Sequence, residues 1–553
     1  MAFFLFVTPA HSRIYEEPNW SERHPIPITG RKNIYSIDDT DEWAEVVRKG
    51  RIHALVYPVE VTGMLVPYQA LENFFESKPS NPIHRFFQKI AGKIAGFYSL
   101  QDMYSWVGVH EYPVDDSNEI PFPDGHRPSY PMGVSLIDTH DGLGLSFSCA
   151  TCHSANLFGQ KVLGLTNRLP KANDFFVLGT KAVKLMPKSL FKAISNADSG
   201  ELNMYKRLRR NSRRVGATKP LNNSLDTSLA QVALSLAKRK RDSWASRSTV
   251  REKFPRSERL RHHRADSKPA PWWNVKYKNR FLLDGSVVSG NPIFTNFLWN
   301  EIGRGADLGE IDNWLYENQE KVQELTAAVF ATEAPRATEF FDESHFDLAK
   351  AKRGQSIYIA LCSRCHGTYK KAWERDDAQS LSTLDAIETT AVHYNENTLV
   401  IDVGTDLSRA LGMQTLGPEL NRLEISKNNN TLVRPQNGYV PPPLVGIWAR
   451  WPYLHNNSIP SLCALLTRSE DRPKAYYFGE SISKEEDFDF ECNGYPSGEG
   501  TPRSWIDKKS VFSTQKESLS NSGHDLKIFL EKNGSEKLTR AEKLDLIHFL
   551  QTL

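Results

Sequence analysis

The hydrophobic and polar positions of the chain follow mostly the three- and four-residue spacing of an α-helix. This spacing predicts helices over residues 40–49, 83–104, 315–330, 347–362 and 538–553, whereas residues 112–131, rich in Pro and Asp, are predicted to form a loop. The last helix is the best defined, because Thr539 and Glu542 have the spacing of a capping box. One apolar stripe follows it, formed by Leu544, Ile547, Leu550 and Leu553. The pattern predicts a mainly α protein.

Two short motifs of the form C-x-x-C-H carry the candidate chemistry. The first consists of Cys149, Cys152 and His153, and the second of Cys362, Cys365 and His366. This spacing lets two thiols bond to the two vinyl groups of one porphyrin while the adjacent imidazole reaches its iron, which is how haem c is attached. A zinc site or a redox dithiol is the alternative for one such motif. Two motifs that use four of the six cysteines favour two covalently bound haem c groups.

The helices around the second motif indicate a domain. A helix leads into Cys362 and another ends the chain, as the first and last helices of a small c-type cytochrome do. We therefore predict two cytochrome c-like haem domains with long loops and a few short strands. The predicted divisions are an N-terminal wrapping segment at 1–85, a first haem domain at 86–345 with a basic insertion at about 206–264, and a second haem domain at 346–553.

Composition narrows the class of protein. With 39% apolar and 24% charged residues the chain is expected to be globular and soluble, and it has no run of about twenty apolar residues that would span a membrane.

Residues 1–12 are apolar and end in small side chains, as the end of a shortened secretory signal or a buried segment would. Because haem c is normally attached outside the bacterial cytoplasm, a periplasmic or secreted protein is expected. Cys463 and Cys492 either form a disulfide there or remain free buried thiols.

Charge is unevenly distributed. Residues 206–264 hold eighteen Lys and Arg residues against four acids, within a chain whose net charge is +3. This basic stretch is either a solvated insertion or a docking surface for an acidic partner. No base-stacking module accompanies it, so nucleic-acid binding is not expected.

A signature in the second half resembles a known family. Residues 439–462 read YVPPPLVGIWARWPYLHNNSIPSL and resemble a signature of bacterial di-haem cytochrome c peroxidase relatives. VGTD at 403–406 and LSNSGHD at 519–525 resemble motifs of the branch that contains the di-haem rubber oxygenase. The resemblance covers about 132–167 and 272–553. That superfamily includes peroxidases, an enzyme that oxidises tryptophan on a partner protein, and polyisoprene dioxygenases.

The resemblance implies a division of labour between two haems. His153 would ligate the first iron, whose opposite coordination position stays open. His366 would ligate the second iron, which would be six-coordinate and transfer electrons. His524 matches the family position of the second ligand to that iron. His455 is an alternative ligand or a tuning group, Met413 would give the His/Met ligation of small cytochromes, and His548 is more typical of a core or surface histidine.

Three aromatic residues are candidates for the open side of the first haem, namely Trp272, Trp273 and Phe281. The two tryptophans are adjacent and cannot share one face of a helix or strand, so either both are structural or one lies beside the haems, where an indole carries an electron hole. We expect an oxidoreductase that uses hydrogen peroxide or dioxygen, with a small electron-donor protein or an oxidisable substrate as its partner. A peroxidase is slightly favoured over an oxygenase that cleaves an apolar alkene. A non-catalytic di-haem electron carrier is the third hypothesis.

Overall fold

The computed structural model describes residues 14–76, 82–239, 265–526 and 528–553. About 43% of the residues are helical and 12% lie in strands, which confirms a mostly α protein with some short strands. The α-helices are Thr40–Leu55, Tyr68–Glu76, Pro82–Ala95, Leu100–Val107, Ala150–His153, Ala172–Leu185, Lys188–Ser195, Ser199–Asn211, Ser228–Ala237, Pro292–Gly303, Leu308–Glu317, Gln319–Ala331, Leu348–Leu361, Ser363–His366, Thr383–Ala386, Ser408–Leu420, Glu424–Asn428, Leu462–Leu465, Arg503–Asp507 and Arg540–Gln551. None of the helices searched in these ranges is long and apolar enough to cross a membrane.

The strands are short and antiparallel. One three-stranded sheet has the order Val66–Pro67, Gly142–Phe147, Val134–Thr139. Four two-stranded ladders join Ser154–Leu157 to Gln160–Leu163, Val287–Ser289 to Leu432–Val433, Thr368–Lys371 to Thr389–His393, and Ala475–Tyr477 to Val511–Ser513. The three-stranded sheet matters most for the site, because its central strand ends two residues before Cys149.

The helical predictions succeed where a capping residue or a motif marks the helix end. The helix predicted for 347–362 is Leu348–Leu361, and the last helix is Arg540–Gln551 with the expected capping box between Thr539 and Glu542. The single helices predicted for 83–104 and 315–330 are wrong. The first is divided at Gly96, whose φ is +86°, and the second is divided at Asn318.

Two large groups of buried side chains form the main cores. The first core includes Trp272, Phe281 and Met413, and Cys149 packs against it. The second core includes Trp273 and Trp448, and Cys362 packs against it. The two adjacent tryptophans therefore belong to different cores.

Each core contains a helix pair whose backbones approach closely at a glycine. A Cβ at Gly50, in Thr40–Leu55, would lie 1.9 Å from the carbonyl oxygen of Glu324 in Gln319–Ala331. A Cβ at Gly354, in Leu348–Leu361, would lie 2.0 Å from the carbonyl oxygen of Asp545 in Arg540–Gln551. The second pair is the first-and-last-helix contact expected of a cytochrome c-like unit.

The basic stretch differs from the expected solvated insertion over its described part. Helix Ser228–Ala237 buries Leu229, Val232 and Leu236 in the first core. Arg239 is also buried and donates to the carbonyls of Ile302 and Ala306. Residues 240–264, which contain much of the predicted insertion, and residues 1–13, which contain the apolar N-terminus, lie outside the described residues. The domain boundaries stay a prediction.

The close approach at Gly354 makes a stability prediction. Gly354→Ala is expected to lower the free energy of unfolding by about 1–3 kcal/mol, because the new methyl group meets backbone that cannot move without separating the two helices. Gly179→Ala, in helix Ala172–Leu185, is the matched control. Apart from the backbone of its own helix, no atom lies within 4 Å of a Cβ added at this position. There alanine is expected to stabilise by up to about 1 kcal/mol. Urea unfolding of both variants measures the difference, and equal effects would contradict the packing argument.

Candidate haem-binding sites

The first motif forms one helical turn directly after the central strand of the sheet. The N–H groups of Cys152 and His153 donate to the carbonyl of Cys149 at 3.2 and 3.0 Å. The hydroxyl of Thr151 donates to the carbonyl of Gly133 at 2.8 Å and joins the turn to the start of strand Val134–Thr139. Both thiols of the motif are free. This turn brings two thiols and one imidazole to the same cavity.

The cavity beside His153 has a volume of about 330 Å³. Its lining combines polar and charged residues with aromatic side chains, and the aromatic ones include Phe147, Phe176, Trp272, Phe281, Phe297 and Trp299. Burial lowers the pKa of His153 to about 4, an effect that the backbone of Ala270 partly opposes. The imidazole is therefore neutral at pH 7, which is the form that binds a metal.

The three aromatic candidates occupy different places. The ring centroid of Trp272 lies 5.6 Å from that of His153, which is direct ring contact beside the imidazole. Phe281 lines the same cavity. Trp273 is not among the residues that line it; its indole N–H donates to the carbonyl of Val445 at 2.8 Å in the second core. A catalytic role stays a prediction for all three, and the geometry gives Trp273 no place beside His153.

The second motif begins where helix Leu348–Leu361 ends. The hydroxyls of Tyr358 and Tyr369 donate to the carbonyls of Gly367 and His366, at 2.8 and 2.9 Å, and fix the turn. Nδ1 of His366 lies 2.7 Å from the carbonyl oxygen of Pro442. Burial and the charge of Arg450 lower the pKa of His366 to about 4. Because a carbonyl only accepts, the neutral ring carries its proton on Nδ1 and leaves Nε2 as the lone pair for iron.

The triple proline of the signature supplies acceptors to this site. A proline has no N–H, so its carbonyl is its only polar backbone group. The carbonyl of Pro441 accepts from the hydroxyl of Tyr394, that of Pro442 from His366, and that of Pro443 from the guanidinium of Arg450 at 2.9 Å. The run thus holds three side chains around the second motif.

His524 lies opposite His366. The two ring centroids are 6.2 Å apart, and imidazoles that share a metal through bonds of about 2 Å have centroids about 6 Å apart. His524 has a φ of +59°, a left-handed conformation that a non-glycine residue adopts only when its surroundings hold it there. Its Nδ1 is buried without a hydrogen-bond partner in the described part of the chain, and burial lowers its pKa to about 3. The arrangement suits a second ligand to one iron.

Two sequence motifs meet to hold the His524 loop. The N–H of His524 donates to the carbonyl of Val403 at 2.8 Å. A Cβ at Gly523 would lie 2.3 Å from the carbonyl carbon of Gly404, so only glycine permits this approach. The guanidinium of Arg472 donates to the carbonyl of Gly523 at 2.7 Å. The VGTD and SGHD segments, over a hundred residues apart, therefore form one support.

The other proposed ligands contact different groups. His455 stacks on Tyr439 with ring centroids 4.0 Å apart. Met413 is fully buried in the first core. Nε2 of His548 accepts from the N–H of Asp347 at 2.8 Å, at the start of the helix that leads to Cys362. The ligand roles of His455 and Met413 stay predictions, and His548, which the sequence assigned to the core or the surface, is buried.

Sequence reasoning missed several residues that build the two sites. Tyr369 and Arg450 hold the second motif, and Arg472 holds the His524 loop. The carbonyls of a triple proline were a signal for Arg450, because such carbonyls need donors. Nothing in the sequence pointed to Arg472, which lies fifty-two positions before His524.

Both motifs fit haem c. Each presents two free thiols and a neutral buried imidazole, and the first lies on a cavity lined with aromatic rings. Cys463 and Cys492 are joined in a disulfide, which resolves the alternatives left by the sequence.

Comparison with known proteins agrees with this chemistry at a coarse level. A family model described as "RoxA-like, cytochrome c-like" matches residues 438–477, the segment that contains the triple proline and Arg450. It supports the resemblance to the rubber-oxygenase and di-haem cytochrome c proteins, and a cytochrome c-like domain implies covalent haem c.

The chain is also similar to two proteins of Sinorhizobium fredii (strain NBRC 101917 / NGR234). It is 31% identical to "Uncharacterized protein y4iJ" over 140 residues, which are 25% of this chain and 21% of that protein. It is 26% identical to "Uncharacterized protein y4iM" over 271 residues, which are 47% of this chain and 57% of that protein. The chain thus matches about a fifth of one relative's length and just over half of the other's.

The opposed histidines predict a spectroscopic change. His524→Ala is expected to convert the haem attached at Cys362 and Cys365 from low spin to high spin, because its iron loses one of two nitrogen ligands. His455→Ala is the matched control and is expected to leave the low-spin signal in place, since His455 stacks on Tyr439 instead. Optical and EPR spectra of the purified variants measure the change. An unaltered spectrum in His524→Ala would exclude this residue as the ligand.

Proposed function

We propose that this protein is an oxidoreductase with two covalently attached haem c groups that have different coordination. The observation that carries this proposal is the asymmetry of the two motifs. His366 faces His524, whereas His153 is the one imidazole among the described residues that line the cavity of the first motif. The first haem would therefore be open to a small reactant, and the second would be six-coordinate and transfer electrons. When bound, haem iron supplies the one-electron redox chemistry.

A peroxidase reaction at the first motif is the function that the cavity supports best. Cleavage of peroxide requires a group that accepts and returns a proton. Asp226 and Gln231 both line the cavity, and Oε1 of Gln231 is buried without a hydrogen-bond partner among the described residues. Asp226 acts electrostatically on the thiol of Cys152, so its carboxylate lies near the point of haem attachment. We assign Asp226 as the proton-transfer group and Gln231 as a group that orients peroxide.

An oxygenase that acts on an apolar alkene is the second candidate. The aromatic lining of the cavity excludes water and suits an apolar substrate, and the family match is to RoxA-like proteins. A carrier with two saturated haems is the third candidate, and it requires a second ligand on the cavity side of the first iron.

The adjacent tryptophans supply a connection between the two sites. Trp272 contacts the ring of His153, and Trp273 lies in the core that contains the second motif. An oxidisable indole next to an iron ligand is suited to pass an electron towards the reacting haem. The electron source would be a small donor protein or an oxidisable substrate. A cytochrome c-like domain and a disulfide both suggest a location outside the cytoplasm.

The coordination proposal is tested on the purified protein. A pyridine haemochrome assay is expected to give two haems per chain, and carbon monoxide added after reduction is expected to shift the Soret band of one haem and leave the other unchanged. If neither haem binds carbon monoxide, the protein is an electron carrier instead.

The reaction is tested by one substitution at the cavity. Asp226→Asn is expected to lower the rate of peroxide reduction by about 10²–10⁴-fold, because an amide does not exchange the proton, while carbon monoxide binding persists. Asp376→Asn, at an exposed aspartate, is the control and is expected to react at the unaltered rate. Oxygen uptake that depends on an apolar alkene, with no peroxide turnover in the unaltered protein, would favour the oxygenase.

A further inference from the structure

Several buried cations lie around the two motifs. Four of them, Lys268, Lys278, Arg409 and Arg450, are 9%, 5%, 6% and 9% exposed. A buried positive charge is unfavourable by several kcal/mol unless an anion or several acceptors surround it. Their partners therefore indicate what this part of the protein is built to hold.

The two lysines have no carboxylate partner. Nζ of Lys268 donates to the carbonyls of Arg450 and Pro452 at 3.2 and 2.6 Å, and the charges nearest to it are the cations Arg450 and Arg168. Nζ of Lys278 has no hydrogen bond or ion pair with any described residue. Burial, with a further effect from Arg450, lowers the pKa of Lys278 to about 8. The two lysines therefore lie close to other cations, and neither is paired with a carboxylate of the described residues.

Arg409 has unused donors. Its Nε and Nη1 are buried and lack a hydrogen-bond partner in the described ranges. Its charge acts on the carboxylate of Asp284, which is fully buried and accepts its hydrogen bond from the hydroxyl of Ser286 instead. Asp226 also lines the cavity, but its carboxylate accepts from Asn173 and Ser228. The two buried donors of Arg409 are therefore left free by the described residues.

The positions of the cations relate them to the haem sites. Lys268, Lys278 and Arg409 line the cavity that also contains Cys149 and His153. Arg450 donates to Pro443, and its charge lowers the pKa of His366, so it lies towards the second motif. Three of the cations thus line the cavity of the first motif, and the fourth lies near His366 of the second.

We propose that Lys268, Lys278 and Arg409 form a carboxylate-binding site for the propionate groups of the haem attached at Cys149 and Cys152, with Arg450 between this site and the second motif. The proposal rests on the haem c function proposed above. The thioether bonds use the vinyl side of the porphyrin, so the two propionates point away from the cysteines and carry negative charge that these cations could bind. Charge-assisted hydrogen bonds from guanidinium and ammonium groups are the usual means of holding buried carboxylates.

A carboxylate on a small substrate has the same chemistry, and the experiment separates the two sources. Lys278→Met and Arg409→Gln each remove one charge at similar volume. Lys370→Met and Arg375→Gln are matched controls at exposed positions. For each purified variant, three quantities are measured without added substrate: haems per chain, the midpoint potential of the carbon monoxide-binding haem, and the propionate bands in resonance Raman spectra.

The expected result is an unchanged number of haems, a lower midpoint potential and shifted propionate bands in both cavity variants, with none of these changes in the controls. The potential falls because a removed positive charge no longer favours the reduced haem. Lys278→Arg keeps the charge and is expected to keep the potential near that of the unaltered protein. Arg409→Gln provides an independent reading if Lys278→Met does not fold.

The other outcomes overturn the propionate assignment in distinguishable ways. Unchanged potential and bands, together with hexanoate binding that is weakened tenfold or more, would retain the carboxylate site and assign it to a substrate. Unchanged potential, bands and hexanoate binding would overturn the site while the haem function stands. Absence of haem from the unaltered protein would overturn both the site and the proposed function.

Discussion

An acceptor that binds the N–H of an imidazole fixes which nitrogen carries the lone pair and how the ring is oriented, and much of the second half of the chain supports such an acceptor for His366. Pro442 accepts from Nδ1 of His366, and its neighbours in the triple proline hold Tyr394 and Arg450. Tyr369 joins the same network, because its hydroxyl donates to the carbonyl of His366 and accepts from the N–H of Leu444. The triple proline of the signature is therefore a set of backbone acceptors, whose donors are His366 and Tyr394 elsewhere in the chain and Arg450 within the signature itself.

The opposite histidine depends on a different kind of support. His524 is in a left-handed conformation, and its position is maintained by the backbone contact of Gly523 with Gly404 and by the donors of Arg472. Strain of this kind persists only where surrounding contacts exceed its cost of about 1–3 kcal/mol. The first motif lacks an equivalent loop among the described residues. The difference between the two sites thus lies in what faces each histidine, since the two helical turns are alike.

The sequence predicted what depends on local spacing. The helix pair Leu348–Leu361 and Arg540–Gln551 follows from apolar periodicity and a capping box, and the two motifs follow from covalent chemistry. The division of a predicted helix at Asn318 and the separation of Trp272 from Trp273 into two cores depend on tertiary contacts, which periodicity does not report. The cations Lys268, Lys278 and Arg409 were not singled out, because in a sequence a lysine or arginine is read as a surface residue.

The disulfide between Cys463 and Cys492 closes a loop that contains Arg472. Arg472 donates within this loop to the carbonyls of Leu465 and Thr467, and outside it to the segment that carries His524. Joining the ends of the loop restricts its conformations, so fewer of them place Arg472 away from the segment that carries His524. A disulfide far in sequence from either C-x-x-C-H motif therefore helps to hold the segment that carries His524, and it does so through one guanidinium group.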